Sequence, residues 1–124
     1  MSRHEVDCPP ELRRAALAAL AAVEVSEGHL SVELVEPERI RELNNRFRGR
    51  DEVTDVLSFP VDALGPTAGP RELGDVVICS EHSQDLEEAV VHGILHLAGH
   101  DHESDRGEMM ELQEQVLEEL RAGR

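Results

Sequence analysis

The chain has 124 residues, a formal net charge of −15, and two phenylalanines but no tyrosine or tryptophan. Chains of this length form one domain, so we expect residues 1–124 to fold around a single aliphatic core. No apolar run approaches the roughly 20 residues that span a bilayer. The two cysteines form no paired motif, which favours a reducing compartment. We therefore predict a cytoplasmic protein with no membrane partner.

The first elements are a helix and a strand. Proline suits the start of a helix, and apolar residues at helical spacing after Pro10 predict one that ends near Val25. Residues 29–35 alternate between apolar and polar side chains, which predicts a half-buried strand. The residues expected on its buried face are Leu30, Val32 and Leu34.

A second helix and a second strand follow. The helix should begin at Pro37 and stop at Gly49, where glycine tolerates a left-handed turn. Its inward-facing residues should be Ile40, Leu43 and Phe47. Residues 54–61 are apolar and β-branched, and Pro60 near their end indicates an edge strand or a strand terminus.

The second half contains a loop, a strand and two helices. Two glycines and two prolines predict a surface loop over residues 62–70, and the apolar run 73–79 predicts a buried strand. A helix over residues 83–98 should be capped by Ser83, and a last helix should run from a cap at Ser104 or Asp105 to about residue 120. The expected fold class is a small α/β (α+β) domain whose mixed sheet, of at least three strands, is covered by helices.

Four histidines lie within residues 92–102, at spacings typical of a metal site. His92 and His96 are four residues apart and therefore share one face of a helix. Gly99 offers a left-handed turn that ends the helix, after which His102 is best placed to bring back a third imidazole. Three neutral nitrogens leave a fourth coordination position open, which is the arrangement of a catalytic zinc.

The third ligand has a competitor in His100. Offsets of zero, four, seven and ten match the metzincin pattern His-Glu-x-x-His-x-x-Gly-x-x-His, and this match favours His102. Asp101 either accepts a hydrogen bond from a ligand imidazole or caps the turn, and the sequence favours neither role.

The metzincin general base is missing, because Gly93 occupies the position of the glutamate. Without that carboxylate, peptide hydrolysis by the usual zincin route is disfavoured. A phosphodiester needs a Lewis acid and a cation that holds phosphate oxygens, and three histidines with an arginine supply both. Five of the twelve arginines fall within residues 39–50, away from the acidic segments, and form a local anion-binding candidate. For most of the five, the sequence favours a solvated helix face over a binding role.

Three segments in order resemble the signature of the YbeY family. They are Glu42 to Asp51 with Thr54 to Pro60, then Gly74 to Cys79, then the histidine run from His92 to His102. Members of the family are bacterial rRNA maturation factors, described as single-strand-specific metallo-endoribonucleases. They act in processing the 3′ end of small-subunit rRNA and in ribosome quality control.

The resemblance implies specific residues and a specific fold. It implies one zinc ion bound by His92, His96 and His102, a functional arginine at Arg48, and a mixed α/β fold with a four-stranded sheet. The implied partners are rRNA and the small ribosomal subunit or its proteins. Two features depart from the family: the segment at residues 80–91 is shorter, and His100 stands where an aromatic residue is common.

In the expected mechanism, Arg48 holds the negative charge that develops on the phosphate. The general base stays open among Asp101, Glu103 and a water held by Ser58 or Asp55. One rival is a ribosome assembly factor that acts by binding, with a structural or vestigial metal site. Another is a metal-dependent hydrolase of peptides or small amides. Three imidazoles also accept nickel, cobalt or copper.

Overall fold

The computed structural model describes residues 3–23, 27–60, 72–99 and 106–123. Within these ranges the chain forms four strands and four α-helices. A short 3-10 helix at Ser80–His82 joins the last strand to the third α-helix. In chain order the elements are β1 Arg3–Asp7, α1 Pro10–Ala22, β2 Glu27–Val35, α2 Pro37–Arg48, β3 Val56–Pro60, β4 Glu72–Cys79, α3 Leu86–Leu97 and α4 Glu108–Ala122.

The four strands form one mixed sheet in the order β1-β2-β4-β3. The pairs β1–β2 and β2–β4 are parallel, whereas β3 runs antiparallel to β4. The predicted small mixed sheet covered by helices is therefore confirmed. Pro60 lies in the edge strand β3, where a residue without an N–H group is tolerated.

Helices cover the two faces of the sheet unequally. The main core lies between one face and the helices α1, α3 and α4, and it includes Leu30, Val32, Val76 and Ile78. On the other face, Ile40 of α2 packs on a smaller cluster of Leu57, Val77 and Cys79. The histidine-bearing helix α3 and the arginine-rich helix α2 thus lie on opposite faces of the sheet.

Strand β1 was missed by the sequence patterns. Its sequence Arg-His-Glu-Val-Asp has a single apolar residue, Val6, so it shows no alternation. Strand β2 begins two residues before the predicted start at His29, and it buries Leu30 and Val32 as expected. Helix α1 ends at Ala22, earlier than predicted, and Val25 lies outside the described residues.

The prediction for Phe47 was wrong. Helix α2 has the predicted bounds, and Gly49 ends it in the left-handed conformation at φ 69°. However, Phe47 is 59% exposed, because Ile40 and the half-buried Leu43 already make the apolar contact between α2 and the sheet. One turn further on, the Phe47 ring lies beside that of Phe59, with ring centroids 5.3 Å apart.

Both helix caps in the second half differ from the predictions. Asp85, not Ser83, caps α3, and its Oδ1 accepts a hydrogen bond from the Glu88 N–H at 3.1 Å. The Ser83 hydroxyl instead donates to the Cys79 carbonyl at 2.9 Å. The N-cap of α4 is Gly107 at φ 100°. The predicted caps of α4, Ser104 and Asp105, and the predicted loop at residues 62–70 lie outside the described residues.

Both cysteines are free thiols. Cys79 is buried in β4, and Cys8 is half-buried, which raises the pKa of its thiol. None of the helices in the described part of the chain combines the length and the apolar character needed to cross a membrane.

Candidate metal centre

Helix α3 brings His92 and His96 together on one side. Their rings meet edge to face with centroids 4.7 Å apart, and the two Nε2 atoms are 3.2 Å apart. The opposite side of the helix anchors it, because Val91, Ile94 and Leu95 are buried in the main core. Both imidazoles are half-buried, so the helix holds them at the surface of the core.

The spacing of the two Nε2 atoms suits a single zinc ion. Zn–N bonds of about 2.0–2.1 Å at tetrahedral angles place two ligand nitrogens roughly 3.3 Å apart. The observed 3.2 Å matches this separation. The two imidazoles therefore fit the family's implied metal as neighbouring ligands.

Gln113 of α4 fixes the protonation of His92. The Nδ1 atom of His92 lies 2.9 Å from Oε1 of Gln113. An amide oxygen only accepts, so Nδ1 must donate its proton, and Nε2 then carries the lone pair that a metal needs. Metal-binding histidines commonly have such an acceptor on the second ring nitrogen.

Sequence reasoning missed Gln113, although a signal was present. Gln113 is 3% exposed and lies on the apolar face of α4, between Met109 and Val116. A glutamine on a buried helix face needs a hydrogen-bond partner, because burying an unpaired amide is costly. The partner it has is His92.

We expect Gln113→Leu to weaken zinc binding by roughly 10- to 100-fold, the usual effect of losing such an acceptor. Leucine is apolar and similar in size, so the fold should persist at this buried position. Competition with a chromophoric chelator would measure the affinity. The matched control is Gln115→Leu, the same change at an exposed position of α4, and an equal loss there would contradict the role of Gln113.

The third predicted ligand lies outside the residues that the structure describes. Within residues 3–23, 27–60, 72–99 and 106–123, no group of three histidines, cysteines or carboxylates comes together. His102 and its competitor His100 lie outside the described residues, as do Asp101 and Glu103. The assignment of His102 stays a prediction.

At Gly93, helix α3 packs directly against the sheet. A Cβ atom built at this position would lie 2.6 Å from Cγ1 of Val76 and 3.2 Å from Oγ of Ser58. The Ser58 hydroxyl also donates to the Gly93 carbonyl at 2.9 Å, which ties β3 to α3 between the two histidines. A glutamate here would collide with β4, so this position has no room for the zincin general base.

We expect Gly93→Ala to destabilise the protein by up to about 2 kcal/mol. Overpacking of a core costs about 1–3 kcal/mol, and better helix propensity returns at most about 1 kcal/mol. Denaturant unfolding would measure the loss. Adding Val76→Ala removes the colliding methyl group, so Gly93→Ala should cost less in that background. An unchanged cost would contradict the packing explanation.

His92 opens onto a polar cavity of about 530 Å³, which we call the histidine cavity. Its walls include His92, Gln113 and four other residues with ionisable side chains: Asp55, His82, Asp85 and Glu88. The structure distinguishes the two described candidates for holding a catalytic water, Asp55 and Ser58. Asp55 lines this cavity, and its Oδ1 accepts a hydrogen bond from the backbone N–H of Val56. The Ser58 hydroxyl instead donates its hydrogen bond to the Gly93 carbonyl.

Arg48 lies elsewhere, in a groove of about 700 Å³ between α2 and the sheet, which we call the α2 groove. Its walls include Phe47, Arg48, Ser58, Phe59 and Asp75. The structure therefore does not place Arg48 and His92 in one cavity. Strand β3 lies between them, since Asp55 and Val56 line the histidine cavity, whereas Ser58 and Phe59 line the α2 groove.

Two of the other clustered arginines form ion pairs. Arg39 binds Glu42 at 2.9 Å, and Arg41 binds Asp51 through both of its carboxylate oxygens. The hydrogen bond from Arg41 also lowers the pKa of the Asp51 carboxyl. Arg48 makes no ion pair with any residue that the structure describes, which leaves its charge available to an anion.

Sequence comparison agrees with the motifs. A family model described as Endoribonuclease YbeY matches residues 10–121. The protein named Endoribonuclease YbeY in Rubrobacter xylanophilus is 50% identical over 97 residues, covering 76% of this chain and 69% of that protein. Its namesake in Persephonella marina is 36% identical over 118 residues, covering 83% and 77%. The protein of the same name in Myxococcus xanthus is 44% identical over 119 residues, but the match covers only 40% of that protein.

A solved structure shares the fold. The solution structure of TM1509 from Thermotoga maritima superposes with a TM-score of 0.55 at 30% sequence identity. The match covers 99% of this chain and 91% of that one.

Proposed function

The chain belongs to the endoribonuclease YbeY family, and on this premise we propose that it is a zinc-dependent endoribonuclease that cuts single-stranded RNA. The proposed substrate is rRNA, at the 3′ end of the small-subunit molecule, and the proposed location is the cytoplasm. The observation that carries the metal part of the proposal is the pair of Nε2 atoms 3.2 Å apart, one of them on a ring oriented by Gln113.

His92, His96 and His102 would hold one zinc ion. When bound, zinc supplies a Lewis acid for the phosphodiester and lowers the pKa of a coordinated water. The chain's own residues do the positioning. Gln113 keeps the proton of His92 on Nδ1, and Ser58 anchors the Gly93 carbonyl, which fixes α3 against β3.

Arg48 is proposed to bind the phosphate oxygens through its guanidinium group. A planar fork of N–H donors suits a phosphate, and charge that develops there is stabilised best by donors already in place. Strand β3 has a rise of about 3.3 Å per residue, so the two residues from Val56 to Ser58 span roughly 7 Å. Val56 lines the histidine cavity and Ser58 lines the α2 groove, so a bound RNA strand that reaches both would pass over this part of β3.

Two rival functions are less well supported. The relatives are named as endoribonucleases, which favours an enzyme over a ribosome assembly factor that acts by binding alone. Hydrolysis of peptides lacks support at Gly93, where no general base fits. Among the described candidates for activating a water, Asp55 is the one that lines the histidine cavity.

The test is cleavage by the purified protein after metal removal and after addition of zinc. We expect zinc to restore cutting of a single-stranded RNA but not of the same sequence in a duplex or as DNA. Small-subunit particles that carry 3′-extended rRNA should be trimmed under the same conditions. Cleavage that persists in the metal-free protein, or binding to particles with no cleavage at all, would contradict the proposal.

A further inference from the structure

The two phenylalanines are the chain's entire complement of Phe, Tyr and Trp, and both lie at the α2 groove. Their ring planes are tilted by 59° with centroids 5.3 Å apart. Phe59 is half-buried on β3, but Phe47 stays 59% exposed despite this contact. Packing alone does not account for such an exposed aromatic ring in a protein that has only two aromatic residues of this kind.

Positive charge lies next to these rings. The guanidinium carbon of Arg46 is 5.3 Å from the centroid of the Phe47 ring, and Arg48 lines the same groove. Exposed aromatic faces beside arginines are the combination that binds single-stranded nucleic acid, because bases stack on the rings while the cations meet the phosphates. The chain has a net charge of −15, which repels RNA phosphates, and this local cluster of arginines offsets that repulsion.

The floor of the groove is acidic and sets the orientation of such a strand. Glu33 and Asp75 line the groove from the sheet, on the side that faces α2. A carboxylate repels a phosphate but accepts hydrogen bonds from the N–H groups on base edges. Bases would therefore point toward the sheet, and phosphates toward the arginines at the end of α2.

We infer that the α2 groove is a nucleobase-binding site for single-stranded RNA, in which the Phe47 ring stacks on a base and Arg46 and Arg48 face the phosphates. The inference rests on the proposed function for the identity of the strand as substrate. The groove lies across β3 from the histidine cavity, so a base held here belongs to a nucleotide next to the cleaved bond rather than to the bond itself.

Binding without cleavage tests the inference directly. A labelled single-stranded RNA of about eight nucleotides would be titrated with metal-free protein, and fluorescence anisotropy would give the Kd. Phe47→Ala should raise the Kd by about 5- to 150-fold, the range that base–aromatic stacking covers. Phe47→Trp should keep the wild-type Kd or lower it, since indole also has a face for stacking.

The same titrations with an RNA that carries abasic sites provide the control for base stacking. Its affinity should be nearly the same for the wild type and for Phe47→Ala, because a strand without bases has nothing to stack. Circular dichroism should show both variants folded, as expected for a change at an exposed side chain.

The outcomes separate this inference from the proposed nuclease. Equal loss of affinity for normal and abasic RNA, an unchanged Kd for Phe47→Ala, or no RNA binding by the wild type would each overturn the base site. Capture of a ribosomal protein through Phe47 without any effect on RNA affinity would overturn it as well. Base-dependent RNA binding by a protein that never cleaves would support the site and refute the nuclease.

Discussion

Replacing His96 with alanine should remove the bound zinc and lower RNA cleavage by roughly 1000-fold or more. The ion is expected to contribute several kcal/mol of transition-state stabilisation, and each 1.36 kcal/mol is a factor of ten in rate. His96 Nε2 lies 3.2 Å from its counterpart on His92, so its removal leaves at most two of the three proposed ligands. Metal analysis of the purified variant and single-turnover cleavage of a short RNA would measure both effects.

The control for His96→Ala is the same substitution at His29. That residue lies on β2 and contacts Asp7 at 2.9 Å, beside the far edge strand β1 of the sheet. His29→Ala should keep both zinc and cleavage. If His96→Ala kept full zinc, the proposed ligand set would be wrong. Cleavage at the wild-type rate by the zinc-free variant would contradict the proposed zinc dependence.

The histidine pair was predictable because helix geometry is local. A four-residue spacing places two side chains on one face wherever a helix forms, so His92 and His96 meet without knowledge of the rest of the fold. The sheet was also predictable where alternation or apolar runs were clear, as in β2 and β4. Strand β1 has one apolar residue and pairs with residues more than 20 positions away, so no local pattern marked it.

The missed features depend on tertiary contacts. Gln113 binds His92 from another helix, and the role of Gly93 depends on the distance to Val76 on β4. Neither partner is encoded by spacing along the chain. Likewise, Phe47 fits the apolar stripe of α2, but only packing on the sheet shows that Ile40 and Leu43 complete the contact before it. Sequence therefore predicted which residues meet within a helix, but not which helices and strands support them.

Arg48→Ala should retain one zinc per chain but lose about 100- to 1000-fold in cleavage rate, the usual effect of removing a donor that stabilises developing charge. Arg48 lines the α2 groove without an ion pair to any described residue, so nothing in that part of the fold should depend on it. Arg48→Lys should recover only part of the rate, because an ammonium group lacks the planar fork that binds two phosphate oxygens.

The matched control is Arg41→Ala, which removes the same charge from the same helix. Arg41 binds Asp51 and does not line the groove, so its loss should change cleavage only slightly. A comparable loss in both variants would mean that the overall charge of α2, not the guanidinium of Arg48, matters. Because Arg48 and His92 line separate cavities, a loss confined to Arg48→Ala would indicate that substrate brings the two sites together across β3. Full activity of Arg48→Ala would refute the assigned role.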